Sequence, residues 1–174
     1  MGVIRRNGLN HAMTVEQRKA AIDETSRQRS IEASGADVMY TRGTTHELTA
    51  DTPPMQREFY DFYRTSRGKY TPPGSSLNLT THLTLTSGAK FQNFYPFNDI
   101  DTISPRPLLF VSGDQAHSRE FSEDAYAGAG EPKELYWIPG AGHVDLYDRV
   151  DLISFDKLTA FFTAGLASNA TLAS

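Results

Sequence analysis

The apolar positions of this chain fall into two rhythms. Up to about residue 67 they are sparse and recur at helical spacing. Thr14 with Gln17 three residues on is a capping-box signature, and Gly35 is a stop signal. Between them only Val15, Ala21, Ile22 and Ile31 can bury anything, so the predicted helix is polar and packs weakly. A second helix is better specified. Thr52 is its expected cap, Pro53 suits its first turn, and Met55, Phe59, Phe62 and Tyr63 recur at i, i+4, i+7 and i+8 before Gly68. That aromatic stripe reads as packing surface rather than a substrate lining. The stretch "KYTPPGSS" breaks the chain as a loop. Over Leu77–Phe91 the leucines alternate as in a strand, but Gly88 and the spacing of Leu79 and Leu83 also permit a short helix, which is the reading adopted.

After Pro105 and Pro107 the rhythm changes. "LLFV" is the short continuous apolar run of a buried parallel strand, and "SGDQAHS" follows it as a polar turn. Phe121, Ala125, Tyr126 and Ala129 make a helical stripe ended by Gly128 and Gly130, and "KELYWIPG" is the next strand, closed by its proline. A helix between two such strands predicts a right-handed crossover. Phe155, Leu158, Phe161, Phe162 and Leu166 form the strongest amphipathic helix, and "ASNATLAS" after it has no reason to be ordered. The expected organisation is a helical segment over 1–100, a β-α-β-α segment over 101–167 and a disordered tail over 168–174.

Composition narrows the function. With 174 residues, 39% of them hydrophobic and 22% charged, the chain has the make-up of a globular protein and length enough for one domain. Seventeen Lys and Arg against 21 Asp and Glu give a formal charge of -4, and the basic residues are scattered, so neither nucleic acid nor an anionic membrane surface is an expected partner. No run approaches the roughly 18 apolar residues of a membrane span, and the N-terminal "MGVIRRNGLN" lacks the apolar centre of a secretory signal. Zero cysteines exclude disulfides and thiolate chemistry, and the cytoplasm is the expected location. His11, His46 and His82 have no ligand spacing, so no metal site and no cofactor are expected.

The chemistry gathers where open α/β sheets place it, just beyond the carboxyl ends of the strands. Asp114 follows "LLFVSG" and His143 follows "LYWIPGAG", so adjacent parallel strands would bring a carboxylate and an imidazole to one sheet edge. These are the acid and base of a catalytic triad: the carboxylate fixes the imidazole's tautomer, and the free nitrogen takes a proton from a nucleophile. The plain alternative is a loop histidine with no role in catalysis. His117 reads as a loop or helix-start residue, and Tyr147 and Asp148 as groups that bond the loop backbone beside His143.

"SPRPLLFVSGDQAHSREFSEDAY", "EPKELYWIPGAGHVDLYDRVDLISFDKLTAFF" and the upstream "DTPPMQREFYDFYRT" resemble the C-terminal portion of α/β-hydrolases of the dienelactone-hydrolase-like and acyl-peptidase-like branch. The most specific piece is "PGAGHVDLYD", which resembles the catalytic-histidine loop, while the helices at 14–67 resemble a cap insertion. The resemblance implies an α/β fold with an incomplete parallel sheet and a Ser-Asp-His triad that hydrolyses esters or related acyl bonds without metal or cofactor. It places His143 as the base and Asp114 as the acid, with Glu120 the alternative carboxylate. The family's nucleophile sits in a G-x-S-x-G turn ahead of the acid and histidine. No such pattern occurs here; the nearest text, "GSSLN" at 74–78, follows two prolines, so Ser75 and Ser76 read as loop residues. The chain is therefore expected to supply acid and histidine but not the serine. It would be inactive alone and act on a small acyl substrate when completed by a serine-bearing half, with a complementary chain or a second copy of itself as partner. The alternative is a non-catalytic hydrolase remnant serving as an interaction module.

Overall fold

The computed structural model describes residues 13–92 and 94–170. The chain divides into two compact units between Tyr95 and Pro96. In the first, helix α1 spans Val15–Ala33. Its capping box forms as the sequence predicts: the Gln17 N–H donates to Thr14 Oγ1 at 3.2 Å, and the Thr14 N–H donates to Gln17 Oε1 at 2.8 Å. Gly35, just beyond its end, has φ +101°, a conformation open to glycine at little cost. The helix buries polar residues, Thr25 and Gln28, each satisfied locally by the Ile22 carbonyl and the Glu32 carboxylate.

Helix α2 spans Pro54–Tyr63, starting and ending inside the range its stripe predicts. Thr52 does not cap it, because the Thr52 hydroxyl is taken by the Thr49 N–H at 2.7 Å. Phe59 and Phe62 both meet Tyr63 edge-on, and the Arg67 guanidinium lies over the Phe62 ring. The Leu77–Phe91 segment is not one helix. It holds a 3-10 turn at Leu77–Leu79 and a short helix α3 at Ser87–Gln92. Between these, Thr84 pairs with Tyr40 in an isolated antiparallel bridge, supported by Thr41 N–H to Leu83 O and Leu85 N–H to Met39 O, both 2.8 Å. Arg64 ties this unit together, donating to the carbonyls of Thr44, Thr45 and Thr80. Burial pushes its guanidinium below the ordinary arginine value.

The second unit is the predicted β-α-β-α segment. Strand β1, Leu108–Gly113, pairs in parallel with β2, Lys133–Ile138, in the register Leu108 to Lys133 through Gly113 to Ile138. Helix α4, Arg119–Gly128, connects them, and Ala125 and Ala129 pack with Ile100 against Ile103, Leu108 and Phe110 as a small core. The Lys133 ammonium donates to the carbonyls of Tyr126 and Ala129 at the C-terminal end of α4, where the helix dipole favours a cation. Helix α5 spans Phe155–Ala170, and its Lys157 pairs with Glu134 of β2 at 2.5 Å. Its helical turns continue past the expected start of the tail, and residues 171–174 lie outside the described residues, as does the N-terminal segment 1–12. Phe155, Phe162 and Leu166 are more than half exposed on α5. No helix among the described residues is long and apolar enough to cross a membrane.

Candidate functional site

Because β1 and β2 are parallel, their carboxyl ends lie side by side, and the loops that leave them interlock. The Asp114 N–H donates to the Ile138 carbonyl at 3.1 Å, and the Gln115 N–H donates to the Ala141 carbonyl at 3.0 Å. Gly140 turns the second loop with φ +73°. Gly113 lets that loop cross directly over the end of β1: a Cβ there would lie 2.1 Å from the Ala141 carbonyl oxygen. Ala141 and Val144 are fully buried, so the loop is anchored on both sides of His143.

His143 is half-buried, and both its ring nitrogens meet hydroxyls: Nδ1 lies 2.5 Å from Ser118 Oγ and Nε2 lies 3.2 Å from the Tyr147 hydroxyl. The His117 ring lies against it, 4.5 Å between centroids and tilted by 33°. Asp145 opens the 3-10 turn Asp145–Tyr147, accepts the Gly142 N–H at 2.8 Å and pairs with Arg149 at 3.1 Å. That turn puts Tyr147 four residues beyond His143, where its hydroxyl can reach back.

The structure brings Asp114 to the histidine's loop but not to its ring. Asp114 Oδ1 accepts the Gly140 N–H at 2.8 Å and the Gln115 side-chain amide at 3.1 Å. Glu120 lies in the first turn of α4, next to Arg119, whose guanidinium pairs with Glu123 and lies over the Trp137 ring. The sequence does not single out Ser118. Its only local signal is its place at the start of α4, where a serine ordinarily caps the helix; here it makes no cap hydrogen bond. Ser75 lies in a loop turn, its N–H donating to the Pro72 carbonyl. Among the described residues no three His, Asp or Glu side chains converge as a metal-ligand group.

No family model matches the chain. It is 40% identical over 159 residues to the uncharacterized protein PA2218 of Pseudomonas aeruginosa, a match that takes in 91% of this chain and 42% of that protein. It is 31% identical over 94 residues to the uncharacterized protein YcjY of Escherichia coli, taking in 53% of this chain and 28% of that one. The chain thus spans less than half the length of these curated relatives. The crystal structure of PA2218 superposes with a TM-score of 0.80 at 39% identity, over 95% of this chain and 50% of that one. The α/β hydrolase GrgF from Penicillium sp. sh18 gives 0.64 at 19% identity, over 87% of this chain and 50% of that one. DcsB, solved with its substrate analogue, gives 0.65 at 17%, over 87% of this chain and 53% of that one. The chain has a mixed helix and strand fold with a small parallel sheet, similar to α/β hydrolases over about half of their length.

Proposed function

We propose that this chain supplies the histidine of a serine-hydrolase site that cleaves esters or related acyl bonds, as in the dienelactone-hydrolase-like branch. The observation that carries the reading is the placement of His143: half-buried beyond the end of β2, on a loop pinned over Gly113, with its ring held by neighbours on both nitrogens. Such an imidazole can take a hydroxyl's proton and return it to the leaving group. Asp114 enters this chemistry as the acid that ties the histidine loop, through the Gly140 N–H. The nucleophile comes from a G-x-S-x-G turn, which this sequence does not contain, so the chain by itself is inactive and is completed by a serine-bearing segment. The chemistry so assigned uses neither metal nor cofactor.

The test supplies the part of PA2218 that this chain does not span, by fusion or in trans, and follows hydrolysis of an activated ester. His143→Ala is expected to lower turnover by about three to four orders of magnitude, as loss of a triad member does. Turnover within a few-fold of the parent would overturn the reading.

A further inference from the structure

A neutral imidazole carries one N–H and one lone pair, so it can donate from one nitrogen and accept at the other. At His143 both nitrogens face hydroxyls, Ser118 at Nδ1 and Tyr147 at Nε2. A phenol is more acidic than an aliphatic hydroxyl, so Tyr147 is the better donor of the two. Tyr147 donating to Nε2 leaves the proton on Nδ1, from which it is donated to Ser118 Oγ at 2.5 Å. This is the tautomer a general base needs, because the Nε2 lone pair is then the one that receives a proton.

We propose that Ser118 is the positioning residue of His143, occupying at Nδ1 the place a triad gives to its carboxylate, and that the Tyr147 hydroxyl marks the Nε2 position where a reacting hydroxyl is received. Two further observations support this. Asp114, the expected acid, has Oδ1 engaged by the Gly140 N–H and the Gln115 amide. Ser118 stands at the start of a ten-residue helix, yet its hydroxyl forms no cap and is spent on the imidazole instead. The His117 ring against the face of His143 limits rotation out of that plane. A neutral hydroxyl orients the ring but stabilises an imidazolium less than a carboxylate does.

The role as positioning residue rests on the hydrolase reading; the tautomer does not. The experiment is long-range proton-nitrogen NMR of the ¹⁵N-labelled chain at a pH where His143 is neutral, in solution or on the sedimented assembly. His143→Gln identifies the ring signals. The parent chain is expected to show the Nδ1–H form, Ser118→Ala to lose it in favour of Nε2–H, and Ser118→Thr to restore it. Tyr147→Phe should shift the Nε2 signal while Nδ1 stays protonated. An Nε2–H ring in the parent overturns the proposal, whatever the variants do. So does a His143 spectrum unchanged by Ser118→Ala. If that variant loses its dispersed spectrum, Ser118→Thr decides, and an Nε2–H ring there also overturns it. A confirmed Nδ1–H form together with an ester assay indifferent to His143 would sink the hydrolase reading alone.

Discussion

Gly113→Ala reaches the histidine loop by one methyl group without replacing any residue in it. The added methyl would lie 2.1 Å from the Ala141 oxygen, 2.6 Å from its carbonyl carbon and 2.9 Å from its Cβ. All three atoms belong to a residue with no exposed surface, so no flexible side chain can swing aside. Reaching ordinary contact distance requires the loop to rise by about 1 Å or more. That movement takes the Gln115 N–H bond to Ala141 out of range from its present 3.0 Å and strains the 2.8 Å bond from the Gly140 N–H to Asp114. A neutral hydrogen bond is worth ~0.5–1.5 kcal/mol and one to a charged group ~1.5–3 kcal/mol, the latter taken low because Asp114 is partly solvated. Restricting the unfolded chain returns ~0.4–1 kcal/mol. The net expectation is a loss of about 1–3 kcal/mol, or a fall in Tm of roughly 5–20 °C for a unit of this size. The assay is thermal unfolding at fixed protein concentration, with Gly165→Ala as control. Gly165 is in helix α5, and a Cβ there meets only Pro107 Cγ at an ordinary 3.8 Å, so that variant should hold or raise Tm. A Gly113→Ala chain melting within ~1 °C of the parent would refute the steric reasoning.

Other outcomes follow from the same contacts. In the completed enzyme Asp114→Asn, which weakens the loop tie at the Gly140 N–H and no contact with the ring, should cost turnover well less than His143→Ala, and Glu120→Gln should stay within a few-fold; a loss in Glu120→Gln as large as that in His143→Ala in the ester assay would move the acid to Glu120. Arg64→Met should destabilise the first unit by about 2–4 kcal/mol in denaturant titration, since it strands three carbonyls that one guanidinium serves, and Arg64→Lys should rescue it only in part. The two-stranded sheet leaves both outer edges without a strand neighbour among the described residues, and Phe155, Phe162 and Leu166 are exposed on α5. The chain is therefore expected to sediment at micromolar concentration as a dimer or larger species when no complementary segment is supplied. A monomer with a sharp cooperative melt would contradict this.

What the sequence reveals depends on how local the cause is. The strands β1 and β2 are legible because "LLFV" and "LYWIPG" are apolar runs stopped by glycine or proline, and α1 because its cap closes within three residues. Thr52 misleads because a second threonine, Thr49, competes for its hydroxyl. Leu77–Phe91 misleads because what orders its middle is Tyr40, 44 residues before Thr84, and no periodicity within the segment encodes that pairing. At the site, His143 could be found from its place after a strand and two glycines. The direction of the Asp114 carboxylate could not, since it answers to the Gly140 N–H across the fold. Ser118 was hidden for the same reason, its partner lying 25 residues further on.

The central claim is that His143 serves a serine that this sequence does not contain, and a fluorophosphonate probe reads it directly. The chain alone should carry no stoichiometric label. Assembled with the serine-bearing segment, it should allow one serine of that segment to be labelled, and the labelling should vanish in His143→Ala. Stoichiometric label on a serine of this chain, Ser118 before Ser75, Ser76 or Ser112, lost in His143→Ala, would contradict the account.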